Sequence, residues 1–153
     1  MYQHILVPTD GSELSTRAVQ EAIKLARCTG AKLTAFHAMP QYMPVYYGEA
    51  AMLAPGGVEA VFSQESFEKQ TQQQADAALA AASRIGQEAG ITINVVSERH
   101  EGPASAVLKK VAELGCDAIV MASHGRRGLQ GLLLGSETVK VLTHCKTPVL
   151  VVR

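Results

Sequence analysis

Met121-Ala122-Ser123-His124-Gly125-Arg126-Arg127-Gly128-Leu129-Gln130-Gly131-Leu132-Leu133-Leu134-Gly135-Ser136 links an apolar run, Ala118-Ile119-Val120-Met121, to a helical one, Glu137 to Cys145. The first run reads as a buried strand and the second as a short helix. Gly125, Gly128, Gly131 and Gly135 punctuate the link. Glycine permits positive φ and lets a ligand approach the backbone closely. A glycine-bearing loop that ends on a helix presents unpaired N–H groups and the positive end of a dipole. Together these suit an anion, phosphate above all. Arg126 and Arg127 add charge there or are simply solvated. A surface loop with glycine turns would have the same composition. The order strand, glycine loop, Ser-led helix favours the ligand site, because an α/β nucleotide site requires that order. The two common nucleotide fingerprints are absent. No Gly-Lys pair occurs, which excludes GxxxxGK[ST], and Gly125-x-x-Gly128-x-x-Gly131 lacks the GxGxxG spacing.

Outward from this stretch the same alternation repeats. His4-Ile5-Leu6-Val7-Pro8 is a continuous apolar strand of the kind buried on both faces of a parallel sheet. Thr9-Asp10-Gly11-Ser12 is turn chemistry, with Ser12 placed to cap a helix. From Glu13 to Thr29, Ala18, Ala22, Leu25 and Ala26 recur at helical spacing, widened by Val19 and Ile23; Gly30 ends that helix. Lys32 to Ala38 is a second strand, with Leu33, Ala35 and His37 on one face and Thr34 and Phe36 on the other. Met39 to Gly57 holds prolines, glycines and tyrosines without periodicity, and reads as a long loop, either a lid or a plain connection. Val58 to Ala89 is one helical stretch with Ala75, Ala78, Leu79, Ala82, Ile85 and Ala89 as its core stripe, the run Gln70 to Gln74 as its solvated face, and Gly90 as its stop. Ile91 to Glu98 is a third strand in which Ile91, Ile93 and Val95 alternate with Thr92 and Asn94, and Arg99 to Gly102 is a polar loop. Pro103 opens the next helix, buried through Ala104, Val107, Leu108, Val111 and Leu114 and closed by Gly115. Asp117 to Ala122 and Thr147 to Val152 complete the strands.

Helices between successive strands imply a parallel sheet with right-handed crossovers and helices on both faces. Ligands of such sheets bind beyond the carboxyl ends of the strands, where the winding reverses. Asp10 follows the first strand and the glycine loop follows the fourth. The two segments share one crevice if those strands are neighbours, an adjacency that periodicity permits without proving.

At 153 residues the chain has the size of one domain, 1–153. Apolar residues make up 47% and charged residues 18%, enough to fill a globular core. Net charge is zero, so there is no basic surplus for a nucleic acid. No apolar run is long enough to span a bilayer. Met1-Tyr2-Gln3-His4-Ile5 lacks the basic and apolar regions of a secretory leader, and a cytoplasmic location is expected. Cys28, Cys116 and Cys145 are odd in number and far apart, arguing against zinc or a disulfide framework; Cys28 and Cys116 read as small apolar fillers. The five histidines show no ligand spacing.

With both segments placed, the chain resembles the universal stress protein family over nearly its full length. The resemblance rests on Ile5-Leu6-Val7-Pro8-Thr9-Asp10-Gly11-Ser12, on Gly125-(nine residues)-Gly135-Ser136, and on Pro148-Val149-Leu150-Val151-Val152. It implies a Rossmann-like, adenine nucleotide alpha hydrolase-like fold. That fold is an open five-stranded parallel sheet of order 3-2-1-4-5, with helices on both faces. It also implies an ATP-binding stress-response protein, or one holding AMP or ADP, with Mg as an accompanying ion. Members of the nucleotide-binding branch carry G-x-x-G-x9-G-[ST]. Here Gly125, Gly135 and Ser136 match, and Ala122 stands where the first glycine would be. Asp10 matches the acidic residue near the ribose and the metal, flanked by Pro8 and Thr9. Ala38 matches a backbone contact to adenine, Met121 an apolar neighbour, and Glu137 and Thr138 continue the phosphate end.

Beside that resemblance, Asp10 could equally cap the first helix, Met121 could be core, and Ser136 could be an N-cap as well as a phosphate contact. Phosphoryl transfer needs positioned charge and a group to orient the nucleophile, and no convincing general base is visible. Ser123, His124 and Asp10 do not form a G-x-S-x-G elbow. A binding or regulatory module is therefore preferred to a slow ATPase. Ala122 is the main support for another alternative, a nucleotide-independent dimeric interaction protein. Thr147 to Val152 is apolar on both faces and would lie at a sheet edge, so a homodimer through that strand is expected. A client or regulatory protein is unknown from the sequence.

Overall fold

The computed structural model describes residues 1–43, 64–125 and 134–153. Five strands alternate with four helices among these: β1 (His4–Pro8), α1 (Glu13–Thr29), β2 (Lys32–Pro40), α2 (Gln64–Glu88), β3 (Ile93–His100), α3 (Pro103–Leu114), β4 (Ala118–Ala122), α4 (Ser136–His144) and β5 (Val149–Val152). The sheet has the order β3-β2-β1-β4-β5, and every neighbouring pair is parallel. β1 lies at the centre with β2 on one side and β4 on the other, so the winding reverses between β1 and β4.

Each face of the sheet has its own core. Ile5, Val7, Leu33, Ala35, Val120 and Ala122 pack under α1 and α2 through Ala18, Ala22, Ile23, Leu79 and Ala82. Leu6, Phe36, Ile119 and Met121 pack on the other face against Ala104, Val107, Val111 and Val141 of α3 and α4. The period-two alternation of strands separates the two sets.

Helix ends follow local chemistry. Ser12 caps α1, its side chain accepting the Ser15 N–H, and Gly30 closes the helix at φ 73°, a conformation costly for residues with a Cβ. Pro103 begins α3, and Gly115 ends it in the left-handed region. Gly86 of α2 faces β3: a Cβ there would lie 2.6 Å from a side-chain carbon of Ile93 and 2.8 Å from the Ile91 carbonyl oxygen. The small residue is what lets α2 sit that close to the sheet.

Several sequence expectations are corrected. β2 runs on through Met39 and Pro40, and β3 begins at Ile93 and includes Arg99 and His100, which read as loop. The longer strands pair in register to Pro40↔His100. The Arg99 guanidinium holds the ends together, donating to the Pro40 carbonyl (3.1 Å), the Thr71 hydroxyl (2.9 Å) and the Glu68 carbonyl (2.9 Å). Thr71 is accordingly buried instead of lying on a solvated face. Val95 and Leu114 are exposed, because β3 is an edge strand and Leu114 is the last residue of its helix. Cys28 is exposed and no filler, whereas Cys116 is buried, its thiol pushed up to about 11 by burial and then by the neighbouring Asp117. The expected lid at 44–57, the start of the long helix at 58–63, and Arg126, Arg127, Gly128 and Gly131 lie outside the described residues. Among the described residues, no helix is long and apolar enough to cross a membrane.

Candidate functional site

The candidate site lies at the carboxyl ends of β1 and β4, where the winding reverses. β1 ends at Pro8, after which Thr9 stays tied to the sheet by an N–H bond to the Phe36 carbonyl, 2.9 Å. The Thr9 hydroxyl is 3.1 Å from the Ser15 hydroxyl and accepts the Gly11 N–H. Asp10 follows, half-buried, one carboxylate oxygen accepting the Ser12 N–H at 3.0 Å. The turn is thereby held from both sides, from β2 and from the first turn of α1.

Gly125 meets this turn from β4. A Cβ built on Gly125 would stand 2.6 Å from Asp10 Oδ2, inside any real contact distance. Gly125 does not occupy the positive-φ region. Close approach therefore requires this glycine, and the group approaching it is a carboxylate of the same chain. Gly135 is similar: it has φ −74°, and a Cβ would lie 3.2–3.3 Å from His124 carbons and the Ser123 carbonyl oxygen. The Gly135 N–H donates to that Ser123 carbonyl at 2.7 Å. The glycines close the site's frame upon itself.

α4 starts at this frame. Gly135, not Ser136, is its N-cap; Ser136 is its first helical residue and is exposed. The first N–H groups of a helix have no intrahelical acceptor, so α4 begins with donors and a positive dipole end. Thr138 is buried, at 2% exposure, and its hydroxyl donates to the carbonyls of Ala122 (3.1 Å) and Ser123 (3.0 Å). It fastens α4 to the end of β4. Glu137 turns away towards α3, where one carboxylate oxygen accepts the Ala104 N–H at 2.8 Å and the other pairs with Lys140 at 2.7 Å. Burial raises its pKa, but the bonds from Lys140 and Ala104 outweigh burial and leave it below the ordinary range. Gly102 offers α3 no side-chain cap, and Glu137 supplies one from another helix. A sequence reading by local capping motifs has no means of finding it.

Pro8, Thr9, Asp10, Ala122, Gly125, Gly135, Ser136 and Thr138 thus lie at the carboxyl ends of β1 and β4 and at the start of α4. Met121 is buried in the α3–α4 core, and Ala38 packs against that core near the end of β2. The Ala122 methyl belongs to the core under α1 and α2. The alanine that replaces a motif glycine is absorbed by packing on that side. The sequence marks His37 only as part of an alternation; the structure sets its Nδ1 2.8 Å from the Thr9 carbonyl oxygen. The Ser123 hydroxyl is buried and lies 3.2 Å from His124 Nδ1. Among the described residues no cluster of three or more His, Cys, Asp or Glu is arranged to hold a metal ion. A single carboxylate such as Asp10 fits Mg only as Mg is commonly held beside phosphates, with one protein oxygen and the rest from ligand and water.

The model of the universal stress protein family matches residues 1–153, the whole chain. The chain belongs to this family. A universal stress protein of Methanocaldococcus jannaschii is 30% identical, the match covering all of this chain and 83% of the relative. A solved universal stress protein in complex with cAMP is 29% identical, with a TM-score of 0.69 over 99% of this chain and 97% of that one. UspA from Lactobacillus plantarum superposes with a TM-score of 0.77 over 99% of this chain and 98% of its own, and at 22% identity it bears on the fold alone. The strand order expected of a universal stress protein is the order found here.

Proposed function

We propose that this universal stress protein binds an adenine nucleotide in the crevice between the Asp10 turn and the Gly125–Ser136 arm, and works as a binding module. The observation that carries the reading is the meeting of Asp10 Oδ2 and Gly125 at the switch point of the sheet. There a carboxylate suited to a ribose or a metal stands beside Gly125, and Gly135, the cap of an α4 whose first N–H groups lack intrahelical acceptors, packs on the neighbouring Ser123 and His124. The relative solved with cAMP supports the ligand class. Pro8, Thr9, Asp10, Ala38, Met121, Ala122, Gly125, Gly135, Ser136 and Thr138 are the proposed surroundings of the nucleotide. Glu137 acts at one remove, by fixing α4 against α3. ATP, ADP and AMP are the candidate ligands, and with ATP the Asp10 carboxylate would contribute to holding Mg. Mass spectrometry of the purified protein after gentle denaturation, followed by calorimetric titration of the three nucleotides, tests this. Binding of at least one is expected; no co-purified nucleotide and no heat with any of them would remove the reading.

The proposal includes a cytoplasmic homodimer through β5. β5 is a sheet edge with Leu150 exposed on it at 48%, and α4 exposes Val139 at 45% and Leu142 at 39%. An uncovered apolar edge favours pairing, and a two-fold axis would lay β5 antiparallel to its copy. Light scattering at micromolar concentration should give twice the chain mass. Val151→Lys should halve it while leaving nucleotide affinity within about twofold, since each crevice lies within one protomer. A monomeric wild type would reject the dimer.

A further inference from the structure

His37 is buried near the end of β2, one residue before Ala38. Its Nδ1 lies 2.8 Å from the Thr9 carbonyl oxygen. A carbonyl oxygen only accepts, so Nδ1 carries the hydrogen and the neutral ring is the Nδ1–H tautomer. The bond forms where the ladder stops, since Pro8↔Phe36 is the last pair between β1 and β2. Two bonds then govern Thr9: its N–H goes to the Phe36 carbonyl, and its carbonyl goes to the imidazole.

Strand alternation puts His37 on the face of Leu33 and Ala35, which belong to the core under α1 and α2. The Thr9 N–H and the Thr9 carbonyl are thus both directed to β2, to Phe36 and to His37. A trans peptide is planar, with its C=O and N–H pointing in opposite directions. The N–H of Asp10 is thus turned away from β2, towards the β4 side of β1, where Gly125 stands. The orientation of the Thr9–Asp10 peptide also sets where the Asp10 side chain leaves the backbone, opposite Gly125.

We infer that His37 is a positioning residue for the nucleotide crevice: by holding the Thr9–Asp10 peptide it sets affinity without touching the ligand. This rests on the nucleotide-binding reading above. Calorimetric titration of AMP into wild type, His37→Leu and His37→Asn tests it, alongside the NMR chemical shift of the Asp10 amide. Asparagine places an N–H donor where Nδ1–H stands, and leucine fills the space without one. His37→Leu is expected to weaken AMP about tenfold and to move the Asp10 amide signal, with His37→Asn within about twofold of wild type in affinity and restored in signal. Equal affinity in all three proteins, or equal loss in both variants, would overturn the inference. Should His37→Leu not fold, His37→Gln replaces it, because its amide sits one carbon too far out; Gln behaving like Asn would overturn the inference as well. Should wild type bind no AMP, the nucleotide reading is what fails. The Asp10 amide then decides the positioning role alone, and an unmoved signal in His37→Leu rejects it.

Discussion

Each end of the β1–β4 pair carries an aspartate, and the two are used differently. At the amino ends of the strands, Asp117 accepts the backbone N–H groups of Gln3 (2.8 Å) and His4 (2.9 Å). Its own N–H donates to the His4 carbonyl, and the His4 ring lies 2.8 Å from the Thr34 hydroxyl and 3.2 Å from the Leu114 carbonyl oxygen. At that end both carboxylate oxygens of Asp117 accept backbone N–H groups. At the carboxyl ends, Asp10 gives one oxygen to its own turn and presents the other to Gly125. The difference is one of place: the amino-end carboxylate ties the starts of neighbouring strands together, and the carboxyl-end one stands where the winding of the sheet reverses. In open parallel sheets ligands bind beyond the carboxyl ends of the strands, where the winding reverses, and here that is between β1 and β4.

If the carboxyl end serves ligand and the amino end serves stability, substitutions at the two should separate cleanly. The largest effect is expected from Gly125→Val. Its Cβ would collide with Asp10 Oδ2 and displace the carboxylate, lowering nucleotide affinity about a hundredfold or more with the melting temperature nearly unchanged. Calorimetry and a thermal melt on the same sample check both halves, and unchanged affinity would break the comparison.

Thr138→Val, nearly the same shape, removes a buried donor from the Ala122 and Ser123 carbonyls. A loss of about 1–2 kcal/mol in denaturant unfolding is expected. It should be joined by weaker nucleotide binding, since α4 is fastened to the crevice by that hydroxyl. A stability loss with unaltered affinity would show that the start of α4 does not depend on this bond.

The smallest effect is expected at Asp117. The N–H bonds from His4 and Gln3 hold its carboxyl below the ordinary aspartate range. A lowered native pKa contributes stability that is complete above the unfolded value and fades as pH falls through the native one. Asp117→Asn should therefore melt below wild type at pH 7, with the gap narrowing as pH drops below about 4, and should bind nucleotide as wild type does. A gap that persists unchanged into acid would show that the carboxylate charge is not what holds the amino ends together.

Much of the fold was readable residue by residue. α1 has the bounds that Ser12, the apolar spacing and Gly30 set, because capping and helical periodicity are local. β3 was displaced by two residues at each end, because Arg99 and His100 look like loop until Pro40 and Thr71 are seen beside them. The chemistry of Ser136 points to a cap, yet Gly135 caps α4, since its place is fixed by a bond to Ser123 that propensity does not report.

The alternation of strand and helix, the parallel sheet, and the two segments that carry site chemistry are legible in the chain alone, because all follow from periodicities and turn residues within a few positions of one another. The order of the strands came with the family resemblance, and the tertiary structure bears it out. Only the tertiary structure decided that Gly125 makes room for Asp10, that Glu137 caps α3, and that His37 holds Thr9. Those contacts join residues that are 115, 33 and 28 positions apart. Their existence depends on which strands lie side by side and on which face each side chain leaves the sheet, and no local pattern encodes either.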